Sequence, residues 1–190
     1  MEERFKRMFD ASMEYEVGGK INGYVNDESD NGGETVYGIT RKNHPNLKVW
    51  ASLDAQKGIV NKRAYRIPDD EMEEILNVYH KDYYSKLNVG YINDDSLGMQ
   101  LFDFGINAGV SRSAKTLQKI LRVTTDGIVG RQTVTTANLR KASDLREAFR
   151  KARIEYYAAL ARKGHNAKYY NGWVRRANEC DKSFLQQVNN

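Results

Sequence analysis

Residues 16–40 read EVGGKINGYVNDESDNGGETVYGIT, and the reading of this stretch decides the fold. It opens on a carboxylate, runs through a glycine-rich acidic segment and closes on TVYGIT, which reads as a short strand. Just upstream, Phe5, Met8, Phe9 and Met13 recur at helical spacing and predict a helix over 3–16. Glu16 lies eleven residues after Phe5, which at helical pitch returns it to within about 20° of that residue. The acid therefore falls near the centre of the apolar face, and Gly18-Gly19 stop the helix behind it. A carboxyl group in an apolar setting is costly to ionise, so its pKa should rise. That is the property a general acid needs near neutral pH. The alternative is a last turn that frays and leaves Glu16 in water.

Working outward, Asp30-Asn31-Gly32-Gly33 supplies residues that tolerate positive φ and predicts a turn inside a hairpin-like piece. The acidic loop fails as a calcium site. Counted from Asp27, Asn31 and Gly32 fall at loop positions five and six, but the twelfth is Gly38 where an EF-hand needs Glu. Pro68-Asp69-Asp70-Glu71 predicts a helix start, and Met72, Ile75, Leu76, Tyr79 and Tyr83 form its apolar stripe toward Leu87. On that register Tyr83 is core and Tyr84 points elsewhere. Asn88–Asp95 reads as a linker, so the expected division is a lobe of residues 1–94 and a helical lobe of 95–190. Residues 96–109 read as a buried helix in which Asp103 and Asn107 share a face, either satisfying buried partners or lining a cleft. Ser111 is the expected cap of the next helix. Asp126-Gly127 marks a turn, Ser143 starts a long helix to about Lys163, and Tyr169–Val188 forms the last. The predicted class is mainly α with one small β-hairpin.

The 190 residues include 12 Tyr, 2 Trp and 2 Pro, enough for a packed core without low-complexity tracts. No apolar run is long enough for a membrane span, and the charged N-terminus shows no cleavable signal peptide. The net charge of +5 conceals a split, with residues 1–95 at −5 and residues 96–190 at +10. A basic half favours a polyanion, nucleic acid or an anionic cell wall, but no nucleic-acid recognition motif accompanies it. There is no Gly-x-Ser-x-Gly, and His44, His80 and His165 have no zinc spacing. The single Cys180 cannot pair within the chain, and its neighbours Glu179, Asp181 and Lys182 predict a wet surface. Carboxylate chemistry remains, with no cofactor and no metal implied, and a monomer is expected.

Glu16 with Gly18-Gly19, then Tyr24-Val25-Asn26-Asp27, Asp30, Gly32-Gly33, Thr35 and Tyr37-Gly38-Ile39-Thr40, resemble the glycosyl hydrolase 108 family of secretion-activator N-acetylmuramidases. The resemblance continues through Leu101–Gly109, Leu117-Gln118, Asp126–Gly130 with Thr133, and Gly172-Trp173 with Arg176. The Asp-Gly-x-x-Gly-x-x-Thr run is similar to peptidoglycan-binding modules. One departure stands out: Val17 follows the acid, and Lys20 to Gly23 separate the glycines from Tyr24. The resemblance implies a lysozyme-like helical fold and cleavage of peptidoglycan glycan strands at the bacterial cell wall, in the periplasm or outside the cell. Glu16 would be the proton donor. Asp30 would activate water or stabilise the cation, unless it only shapes an Asx turn, and Thr40 or Thr35 would hold the water. Tyr37, Asp103, Asn107 and Trp173 are the expected substrate-binding residues. The competing expectation is a non-catalytic wall-binding or secretion-accessory protein on the same fold.

Overall fold

The computed structural model describes residues 1–17, 20–27, 33–163 and 167–188; the side chains of Glu16, Val17, Asp27, Ser183, Gln187 and Val188 lie outside this description. Packing divides the chain into two units, Ser12–Tyr79 and Met1–Ala11 with His80–Asn190. This division does not follow the expected boundary at 94/95.

The smaller unit begins within helix α1 (Glu3–Val17) and contains an antiparallel sheet of β1 (Val25–Asp27), β2 (Gly33–Val36) and β3 (Ile39–Thr40) in that order. TVYGIT is thus a hairpin and not the single short strand expected. Val36 pairs with Ile39, leaving Tyr37-Gly38 as a two-residue turn with φ of 48° and 74°. Positive φ at both central positions gives the turn whose twist suits a hairpin. Helices α2 (Lys48–Asp54), α3 (Gly58–Ala64) and α4 (Asp69–Tyr79) complete the unit. Its core gathers Met13, Tyr24, Val36, Ile39, Trp50, Leu53, Ile75 and Tyr79, all nearly inaccessible to solvent.

The larger unit is built around α5 (Asp95–Ala108), which is buried on every side from Ser96 to Gly105. A helix covered on every side must be central, and its buried Gln100 and Asp103 must find partners inside the protein. Asp94 caps it, its carboxylate accepting from the Leu97 amide at 2.8 Å. α5 packs against α6 (Val110–Leu121), α8 (Ala142–Ala161) and α9 (Tyr170–Val188), while α7 (Arg131–Leu139) packs on α6. Gly105 permits a close approach, since a Cβ there would meet Leu87 Cδ1 at 2.6 Å. The cap expected at Ser111 falls instead at Gly109, where the chain bends at φ 93° between α5 and α6.

After Tyr79 the helical stripe changes register. Residues His80–Ser85 form a π-helix, whose turn holds more residues than an α-turn. The extra residue moves Tyr84, 2% exposed, into the core and leaves Tyr83 half-buried, the reverse of the expectation. Tyr84 packs edge-on against Phe5 and Phe102. Among the described residues no helix is long and apolar enough to cross a membrane.

Candidate active site

Helix α1 forms as its spacing predicts. Phe5, Met8, Phe9, Ala11, Ser12 and Met13 are all buried, which defines one covered face. Glu16 occupies the last turn of this helix, at the register position that continues the Phe5–Phe9–Met13 stripe. The Glu16 side chain and all of Asp30 lie outside the described residues, as do Gly18 and Gly19.

The hairpin supplies the other candidates of this unit. Tyr37 is half-buried and sits in the left-handed region, an uncommon conformation for an aromatic residue. Hydrogen bonds hold it there: its amide donates to the Asn22 carbonyl at 3.0 Å, its carbonyl accepts from the Tyr79 hydroxyl at 2.6 Å, and its own hydroxyl reaches the Ile21 carbonyl at 3.4 Å. Gly38 is needed beside it, because a Cβ would crowd the Tyr79 hydroxyl at 3.2 Å and φ is positive. Thr40 lies opposite Thr35 across the strands. Its hydroxyl accepts from the Asn43 amide at 3.3 Å, fixing the start of the following turn.

Beside the hairpin lies a charged network that the sequence did not reveal. Glu34, on β2, accepts from the Tyr24 hydroxyl at 2.5 Å and from Lys62 at 3.1 Å, and is ion-paired with Arg41 Nε at 2.6 Å. Arg41 also bridges Asp54 and lies over the Trp50 ring at 4.9 Å. Burial and the Glu34 carboxylate raise the Tyr24 pKa, keeping the phenol a donor. Arg41 in turn holds Asp54 below the ordinary carboxylate range. Tyr24, displaced in sequence by the inserted residues, is therefore a buried anchor of the sheet, and Glu34 has both oxygens committed. A second inward acid, Glu71, accepts hydrogen bonds from Ser52 Oγ and from the Tyr65 hydroxyl. It is 6% exposed, although the sequence marked it only as a first-turn acid. The partners of both acids lie outside the acids' own elements, six to twenty-eight residues away, so no helical or strand periodicity announces them.

In the larger unit, Asp103 proves to be interior. It is fully buried and bonded by Arg153 Nη2 at 2.7 Å and by Arg176 through Nε and Nη2 at 3.0 and 2.8 Å. Burial alone would push its pKa up, but the two guanidinium groups outweigh it and hold the carboxyl low. An acid so committed satisfies buried partners; it is not a cleft residue, which corrects the expectation of substrate contact. Asn107, one turn on, is half-buried and accepts from the Tyr157 hydroxyl at 2.8 Å. Trp173 stacks on Tyr157 with ring centres 5.3 Å apart, and the half-exposed Tyr169 ring extends the stack. Asn107 and Trp173 are thus brought together through one tyrosine. Among the described residues no cluster of His, Cys, Asp and Glu is arranged to hold a metal ion.

No curated protein matches the sequence. The solved structure of Brucella abortus SagA is similar over 95% of each chain, with a TM-score of 0.65 at 22% identity, a likeness of fold. A pattern described as a predicted peptidoglycan domain matches residues 112–178. The glycosyl hydrolase 108 pattern matches residues 13–109, which takes in Glu16, the whole sheet and α5. With that match over half its length, the chain belongs to the glycosyl hydrolase 108 family.

Proposed function

We propose that the protein is a β-1,4-N-acetylmuramidase that cuts peptidoglycan glycan strands, acting in the periplasm or outside the cell. The observation that carries this reading is the place of Glu16, in the last turn of a helix whose other stripe positions are buried. It shares a unit with the Thr35–Thr40 pair and the strained Tyr37 turn. Glycosidic cleavage needs a proton for the leaving oxygen and stabilisation of an oxocarbenium-like transition state. Glu16 donates the proton, a role that requires it to stay protonated near neutral pH. Asp30 activates water or stabilises the cation, Thr40 helps to hold the water, and Tyr37 contacts the sugar. Asn107 and Trp173 contribute to holding the polymer.

The test is Glu16→Gln in a turbidity assay on purified sacculi. Lysis should be lost while circular dichroism is unchanged, and clearance at near wild-type rate would remove Glu16 as the acid. The insertion of Val17 and Lys20–Gly23 around the glycines favours a second reading, a wall-binding protein without activity. Sacculus retention by a wild type that never clears them is its signature.

A further inference from the structure

Three residues beyond the π-helix His80–Ser85 comes Asn88, whose φ of 48° is left-handed, and then the short 3₁₀ turn Val89–Tyr91. Three departures from regular helix within twelve residues cost conformational energy, and such costs collect where function needs a particular shape. Here they shape one surface. His80, Ser85, Asn88 and Tyr91 line a groove of about 340 Å³ with Glu2. Asn88 and Tyr91 also line a second groove, of about 290 Å³, with Arg131, Val134 and Thr135. Ligand sites run from about 300 to 1,000 Å³, so the first groove lies at the small end of that range and the second just below it.

The Tyr91 ring is 71% exposed, yet its backbone is fastened. The Tyr91 carbonyl accepts from Asn138 at 2.8 Å, and the Arg4 guanidinium bonds the carbonyls of Val89 and Ile92 at 3.2 and 2.8 Å. Asn88 is fixed by its own bond to the Val129 carbonyl at 2.6 Å. An aromatic ring held in water by a rigid turn has no packing reason to be there and is preorganised for a ligand. Around it stand hydroxyls, an amide and an imidazole from Ser85, Thr135, Asn88 and His80, with one arginine and one carboxylate, Arg131 and Glu2. This inventory suits a neutral polyhydroxyl ligand with an apolar ring face, and it suits a polyanion or an apolar peptide poorly.

We propose that the paired grooves about Tyr91 are a saccharide-binding site for β-linked N-acetylated amino sugars, with one ring stacked on Tyr91. All its residues belong to the unit that does not contain Glu16, Asp30 and Thr40. Residues 130–135 fall inside the match to the peptidoglycan domain, and residues 88–91 inside the hydrolase match. The choice of amino sugars rests on the reading of the chain as a peptidoglycan glycan hydrolase.

The experiment is an amide-resolved NMR titration of full-length Glu16→Gln with the N-acetylglucosamine trimer, with sorbitol as control. Shifts should concentrate at residues 88–91 and 131–135, and Tyr91→Ala should weaken this binding at least tenfold while Tyr91→Trp keeps it. A dispersed wild-type-like spectrum of Tyr91→Ala shows that loss is not unfolding. Unmoved amides at millimolar trimer, equal shifts with sorbitol, or unaltered affinity in Tyr91→Ala would overturn the site. So would a groove that instead takes up a protein partner and ignores the trimer. Lysis by Glu16→Gln would count against Glu16 as the acid, and a wild type that never clears sacculi against the muramidase reading; neither outcome touches this site, because the titration measures binding apart from cleavage.

Discussion

Cys180 shows how local sequence misleads at a single position. Its neighbours Glu179, Asp181 and Lys182 predicted a wet thiol, but it is fully buried, and its sulfur accepts from Arg153 Nη1 at 3.3 Å. The better signal was Ala177, Cys180 and Phe184, a 3–4 spacing that puts all three on one buried face of α9. Burial pushes the thiol pKa up to about 12, with Arg153 pulling the other way. A raised folded pKa means the thiol is protonated when folded, while the unfolded thiol ionises near about 8.5. The associated stability is complete below that unfolded value and is lost as pH rises toward the folded one. Urea melts of wild type and Cys180→Ser should therefore draw together between pH 8 and pH 10. Native Cys180 should react with a thiol reagent only at the rate of unfolding. Fast stoichiometric labelling of folded protein would show that the thiol is reachable. Asp103 makes the same point from the polar side: its buried role was one of two readings open in the sequence, and its arginines lie 50 and 73 residues away.

At the scale of elements, the longer helices were legible because their signals are local, whereas the short α2 and α3 were not. The α1 stripe, Pro68 before α4 and the apolar run of α5 each announce a helix within a few residues. The π-helix was not legible, because the stripe that starts α4 gives no sign that a residue will be added after Tyr79. The hairpin was half-read: Gly38 signals a turn, but Tyr37 is a poor choice for positive φ, so the segment looked like one strand. A non-glycine residue in that conformation costs about 1–2 kcal/mol. Asn is the favoured residue at this position of such a turn, and both backbone bonds of Tyr37 survive its substitution. Tyr37→Asn should thus raise stability by about 1 kcal/mol in urea melts. If the ring contacts glycan as proposed, lysis of sacculi should fall in the same variant. A variant that is both more stable and fully active would mean that the ring takes no part in sugar binding.

At the scale of the whole molecule, the −5/+10 charge split is plain in the sequence, but which cations are free to bind is not. Arg175 and Arg176 look equivalent there. Arg176 is 5% exposed and bonded to Asp103, whereas Arg175 is exposed, as are Arg112 and Lys168. Arg112 lies over the Tyr156 ring at 5.2 Å and Lys168 over Tyr169 at 4.8 Å, so both cations stand by aromatic rings. Reversing Arg176 cannot report on binding. Breaking a buried pair costs about 3–5 kcal/mol, and a glutamate there would set two carboxylates together. The informative variants are Arg175→Glu with Lys168→Glu, which remove exposed charge, and Trp173→Ala, which removes a stacking face. Charge attraction to an anionic wall is screened over about 10 Å at 0.1 M salt and about 3 Å at 1 M. In sacculus pull-downs with Glu16→Gln as the parent, retention should fall as salt rises. The double reversal should lower retention at low salt and converge on the parent at high salt. Trp173→Ala should lower it at both, since apolar stacking does not depend on screening. Equal retention of the parent and the double reversal at low salt would mean that these exposed cations do not hold the polymer.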